Sequence, residues 1–228
     1  MHIPDGYLSP STCFSFGAVM LPIWYKASAV IKKNLDISQV PYMAMGAVFS
    51  FLIMMLNIPI PNGTTGHAVG GVLIAIALGP WVAVIAVSVA LLIQALVFGD
   101  GGVVAFGVNA FNMAFIMPFV GFYIFRLIAR KAEIGSTRYV AAAGIAGYIG
   151  LNMAALLASI EFGIQPLLFT AADGTPLYCP YGLNIAVPAM MLAHLTIAGV
   201  VEGFFTAIGI RYITRNSPEL VFIQGKEG

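Results

Sequence analysis

Three nitrogen atoms at the start of this chain have the spacing of a chelate. The terminal amine of Met1, the main-chain amide nitrogen of His2 and Nδ1 of the His2 ring close two fused chelate rings once the amide is deprotonated. They fill three corners of a square plane and leave the fourth for another nitrogen. Square-planar nitrogen ligation suits Ni(II) and Cu(II), whereas octahedral oxygen sites suit Mg or Ca and tetrahedral ones Zn. The chain has three histidines, and His67 stands in PNGTTGHAVGG, residues 61–71. A lone loop histidine has an ordinary structural reading, but Gly63, Gly66, Gly70 and Gly71 leave room there for another segment to approach. The expected ligands are therefore Met1, His2 and His67. Metal binding needs a neutral imidazole and an unprotonated amine, so affinity should fall as pH drops from about 8 to about 6, where such groups ordinarily titrate.

For that set to form, residues 1–10 must fold back against the rest of the chain. Pro4, Gly6 and Pro10 suit a turned segment rather than a helix. Asp5 would balance the ion's charge or orient a ring nitrogen from behind; its other reading is a solvated loop carboxylate. Asn109 would line the site or bond a neighbouring helix, and Asn112, one turn on, reads as a helix-to-helix contact.

The surrounding elements follow from composition. Hydrophobic residues make up 60% of 228 positions and charged residues 8%, against about a quarter charged in a soluble domain. The class is an all-α integral membrane protein in a lipid bilayer. A net charge of +1 gives no indication of nucleic acid as a partner. Residues 1–10 contain no Lys or Arg and no small-residue cleavage site follows, so the mature chain is expected to begin at Met1. Cys13 and Cys179 lack metal or redox spacing and read as unpaired apolar residues.

Apolar stretches of spanning length lie near 11–33, 37–57, 65–79, 80–98, 103–126, 137–160 and 184–210, which gives seven transmembrane helices. Breaks fall at Pro59, Pro61, Asn62 and Gly63, and at Gly79–Pro80. With seven spans, Lys26, Lys32, Lys33, Arg126, Arg130, Lys131, Arg138, Arg211, Arg215 and Lys226 all fall on one side. The positive-inside rule makes that side cytoplasmic and puts the N-terminus outside. The third span is odd, because only about 12 residues, His67 to Leu78, look helical, roughly 18 Å. Such interrupted segments mark binding sites in transporters, where a cavity or protein covers the irregular backbone. Ala146, Gly150 and Ala154, and Gly199 with Gly203, read as close helix contacts.

His194 and Glu202 lie inside span seven, where ionisable residues are functional candidates. Neither reads as a metal ligand; Glu202 suits contact with a coupling protein as well as an ion path. The chain has no GxxxxGK[ST], HExxH or GxSxG motif.

MHIPDGYLSP at the terminus, GTTGHAVGG at 63–71, LGPW at 78–81, LLIQALVFGDGG at 91–102 and NAFNMAF at 109–115 together resemble the CbiM/NikM family. These are the substrate-binding S components of energy-coupling factor transporters for nickel and cobalt. The resemblance covers essentially the whole chain and maps the family's ligands onto Met1, His2 and His67. It implies a single S-component domain over 1–228, with a core plus an extra N-terminal helix, a metal-binding segment at 1–10 tucked into the bundle and a cytoplasmic tail at 211–228. It also implies a cell-membrane importer without a cofactor of its own, whose cargo is Ni(II) or Co(II), and no enzyme activity. GTTGHAV looks nickel-type. Implied partners are two cytoplasmic ATPase subunits, a transmembrane coupling subunit and a small membrane accessory subunit. The last is expected to be separate, because no further span follows Ile210. Two rivals stay open at this stage: a stand-alone secondary transporter or channel for a small solute, and a membrane enzyme using His194 and Glu202 as acid and base.

Overall fold

Hydrocarbon offers a main chain no hydrogen-bond partner, so long apolar sequence satisfies itself as helix. The computed structural model describes all residues except 36, 61–63 and 223–228, with the main chain alone at 59, 60, 64 and 65. The turn expected at Pro61, Asn62 and Gly63, and the cation Lys226, lie outside the described residues.

Helix α1 (Pro10–Asn34) is started by Ser9, whose hydroxyl accepts from Thr12 N at 3.1 Å, with Pro10 in the first turn. Lys32 and Lys33 close its last turn, where cations complement the helix dipole. Helix α2 (Ile37–Met54) leads into an antiparallel hairpin, β1 (Ile58–Ile60) with β2 (Thr64–Gly66), which pairs Ile58 with Gly66. His67 follows β2 directly. Helix α3 (Gly71–Leu78) is short and meets α4 (Pro80–Phe98) at Gly79, whose φ of 97° only glycine adopts without strain. Helices α5 (Phe106–Ala129), α6 (Thr137–Leu168) and α7 (Leu183–Asn216) complete the bundle.

Among the described residues, six helices are long and apolar enough to cross a membrane, and α3 is not one of them. The third apolar segment is thus β2 and irregular chain followed by eight helical residues, and its helix begins at Gly71 rather than His67. Residues Gly71–Ala77 are nevertheless buried throughout, packed with Val87, Met113, Met117 and Leu151 in the main core. Helix α1 lies at the periphery and turns Phe14, Leu21 and Tyr25 outward, where lipid replaces water as their surroundings.

The two ends of the bundle differ. At one end Asp5 meets Val103, Ser9 N donates to Gln165 Oε1 at 2.9 Å, and Cys179 N donates to Tyr7 O at 3.0 Å. At the other Lys26 lies over Trp81 at 4.9 Å, Arg138 donates to Ile128 O, and Phe222 N donates to Ile76 O at 3.3 Å. Helix directions put the described basic residues at this second end. Cys13 and Cys179 are both buried and free.

Without a hydrophobic force between helices in lipid, association depends on close contact of small residues. Ala146 and Ala154 are fully buried, and a Cβ on Gly203 would stand 2.8 Å from Gly144 O on α6. A main-chain oxygen cannot swing aside. Gly203→Ala should therefore destabilise the bundle by about 1–3 kcal/mol, whereas Gly17→Ala, which meets nothing within 4 Å, should be neutral. Thermal unfolding of the purified variants in detergent measures the difference.

Candidate metal centre

The terminal segment enters the bundle because its main-chain groups find partners there. Asn109, near the start of α5, bonds Ile3 twice: Ile3 N donates to Asn109 Oδ1 at 2.8 Å, and Asn109 Nδ2 donates to Ile3 O at 3.0 Å. Gly102 N also donates to Ile3 O, at 2.9 Å. The Ile3 side chain is fully buried with Leu8, Cys13 and Val108. Asp5 gives both oxygens to amides: Val103 N to Oδ2 at 2.9 Å, and Val104 N and Ala105 N to Oδ1 at 3.0 Å each. That carboxylate holds the turn 103–105 just ahead of α5, whose first helical residue is Phe106 rather than one near 103. A Cβ on Gly102 would collide with it.

These contacts bring His2 against His67. The rings stack with centroids 4.7 Å apart at 24°. His67 Nδ1 faces Ala68 O at 3.1 Å; a carbonyl only accepts, so Nδ1 carries the proton and Nε2 the lone pair. His67 Nε2 is buried without a hydrogen-bond partner, and so is Nε2 of His2. The side chain of His2 is 6% exposed, and its Nδ1 lies 3.1 Å from Asp100 Oδ1. The chelate expected from sequence uses that same Nδ1, so the ring's partner here is the aspartate.

Electrostatics keep the nitrogens unprotonated. Burial lowers the Met1 amine from 8.0 to about 6, although Asp100 pulls the other way. Burial also lowers His2, partly offset by its bond to Asp100, and lowers His67 well below 6.5, where charge on the amine and on His2 adds to the effect. The bond from His2 holds Asp100 below the usual carboxylate range. The amine, both rings and Asp100 thus act on one another within a single buried site. The amine's own titration thus centres near 6, at the lower edge of the range of about 8 to 6 expected for ordinary groups.

Among the described residues, no three His, Cys, Asp or Glu side chains form a metal-holding group. A nitrogen set here must draw on the main chain, as Met1 and His2 do. Asn109 positions the segment rather than facing the rings alone, and Asn112 Nδ2 donates to Glu161 Oε2 at 2.7 Å, bridging α5 to α6. Asp100 was absent from the sequence reading; its signal was a lone acid in the GDGG turn after the fourth span, on the same face as His2. His194 Nδ1 bonds Met190 O at 2.8 Å, while Glu202 accepts from Val69 N and Gly70 N. Each is engaged away from the other, so an acid–base pair finds no geometry among the described residues.

Known proteins resemble this chain along most of its length. Residues 2–220 match the family described as cobalt uptake substrate-specific transmembrane region. The fused nickel transport protein NikMN of Rhodobacter capsulatus is 54% identical over 221 residues, covering 97% of this chain and 64% of that protein. The cobalt transport protein CbiM of Ruminiclostridium cellulolyticum is 32% identical over 167 residues, covering 72% of this chain and 64% of its own length. The chain thus spans somewhat less than two thirds of each of these relatives. A crystal structure of a truncated transition metal transporter, 54% identical, superposes with a TM-score of 0.89 over 94% of this chain and 99% of its own. With its apolar helices, its site end and these matches, the chain is a multi-pass membrane protein and belongs to the family of cobalt uptake substrate-specific transmembrane regions.

Proposed function

We propose that this chain captures Ni(II), and secondarily Co(II), at the outer face of the cell membrane and passes it inward as the substrate-binding subunit of an ATP-driven energy-coupling factor transporter. The observation that carries the reading is the stack of His2 on His67, one residue from the chain's own terminal amine. The ligands are the Met1 amine, the His2 amide nitrogen, His2 Nδ1 and His67 Nε2, an N4 set of the kind that favours Ni(II) or Cu(II) over oxygen-preferring ions. Nδ1 becomes available when the His2 ring turns about Cβ–Cγ, which leaves Nε2–H for Asp100. A carboxylate holding the second nitrogen of a ligating imidazole is a recurrent support for bound metal.

Charge supports the same set. A deprotonated His2 amide and the Asp100 carboxylate supply two negative charges to a divalent ion, so the loaded site is neutral and tolerable in a buried place. The topology in this reading has seven crossings, the third made by β2, the irregular residues after it and α3. The N-terminus and site face outward; the basic end and the residues after α7 face the cytoplasm. Partners are two cytoplasmic ATPases, a transmembrane coupling subunit and a small accessory membrane subunit, consistent with relatives named as fused transport proteins.

Adding one residue before Met1 turns the amine into an amide, and His67→Ala removes the fourth nitrogen. Both should abolish tight Ni(II) binding in titration calorimetry while the protein still inserts and purifies; wild-type affinity in either would exclude that ligand. Asp100→Ala should weaken Ni(II) binding by about 10- to 100-fold, with Asp100→Asn between it and wild type. Protons compete with metal only where the ligands take them up, and the amine does so near pH 6. Binding also expels the His2 amide proton, so affinity should fall by about tenfold per pH unit between about pH 8 and 7 and more steeply below about 6, where the amine takes up a second proton. A slope that already steepens near 8 would show an exposed, ordinary amine.

A further inference from the structure

Glu202 is a fully buried carboxylate inside α7, used neither as ligand nor as acid. Its Oε2 accepts from Val69 N at 2.7 Å and from Gly70 N at 3.0 Å, and Thr206 Oγ1 stands 3.5 Å from Oε1. Both amides are free main-chain donors at the start of α3, where a negative charge meets the positive end of the helix dipole. They lie two and three residues beyond His67. The same stretch is tied elsewhere too: Ser50 Oγ donates to Val69 O at 2.8 Å, and His67 Nδ1 bonds its neighbour Ala68. Glu202 is the charged anchor among these.

Helix α7 follows α3 along its length as well. A Cβ on Gly209 would stand 2.6 Å from Leu73, and beyond α7 the main chain returns so that Phe222 N bonds Ile76 O. The segment bearing His67 is thus held by α7 at its start and middle, and by the chain beyond α7 at its end.

We infer that Glu202 is the positioning residue for His67: by binding the Val69 and Gly70 amides it fixes the loop that places the His67 ring against His2. The inference rests on the reading that His67 is a ligand. Removing the carboxylate leaves two buried amides unpaired, and the loop relaxes away from the geometry that presents Nε2. A glutamine keeps an oxygen acceptor at the same reach.

The test is a double-mutant cycle on the full chain purified in detergent, read as the Ni(II) dissociation constant, with thermal unfolding of the metal-free protein recorded alongside. The variants are Glu202→Ala, Glu202→Gln, His67→Ala and the double variant with alanine at both. Glu202→Leu replaces Glu202→Ala in the cycle if the latter fails to insert. The expected result is a loss of about 10- to 100-fold for Glu202→Ala, affinity within a few-fold of wild type for Glu202→Gln, and a double variant no weaker than His67→Ala alone. Non-additivity of this kind marks residues acting through one interaction. If Glu202→Ala binds like wild type, or if the two losses multiply in the double variant, Glu202 does not act through His67 and the inference fails alone. If His67→Ala itself binds like wild type, the ligand reading fails and takes the inference with it.

Discussion

Asn109 holds both main-chain groups of Ile3, and that pair of bonds decides what the first two residues can do. An amide side chain is the one group that presents a donor and an acceptor in the spacing of a neighbouring strand. It therefore substitutes for secondary structure at a place where the terminal segment has none. A buried amide or carbonyl left unpaired costs about 1–3 kcal/mol, so the segment has few other ways to lie inside the bundle. Once Ile3 is fixed, Met1 and His2 have nowhere to go but toward His67. Asp5 finishes the arrangement from the far side by holding the turn that leads into α5, the helix that carries Asn109.

The same burial sets the chemistry. A terminal amine in water is a cation at neutral pH, but here desolvation holds it at about 6. The rings are driven the same way, while the Asp100 carboxylate pulls against the shift at the amine and at His2. The site rests with an Nε2 on each ring lacking a hydrogen-bond partner and with a carboxylate at its margin. Little reorganisation separates that state from one that holds a cation.

How much of this was legible beforehand depended on whether a feature was local. The chelate is encoded in two adjacent residues, and His67 stood out because its apolar segment was too short and too rich in glycine to cross as helix. The periphery, too, was legible: α1 and α2 have the length and composition that the chain alone displays. Asp100 and Glu202 were not, since each acquires its role from contact with residues roughly a hundred positions away or more. The start of α3 was misplaced by four residues because Ala68 and Val69 look helical by composition. Tertiary bonds from Glu202 and Ser50 hold them as irregular chain instead. Likewise α5 begins three residues late, after a turn at 103–105 whose amides bind a carboxylate of the terminal segment that no local pattern reveals.

The stacked imidazoles also bear on the most abundant competitor a metal site faces, the hydrogen ion. Two protonated rings with centroids 4.7 Å apart would repel by about 3.5 kcal/mol at an effective dielectric of about 20. That is about two and a half powers of ten in affinity for the second proton. One divalent ion satisfies both rings at once with a single centre of charge, whereas protons must arrive as two mutually repelling ones. Packing the rings face to face therefore discriminates between a shared cation and separate ones before any ligand geometry is considered.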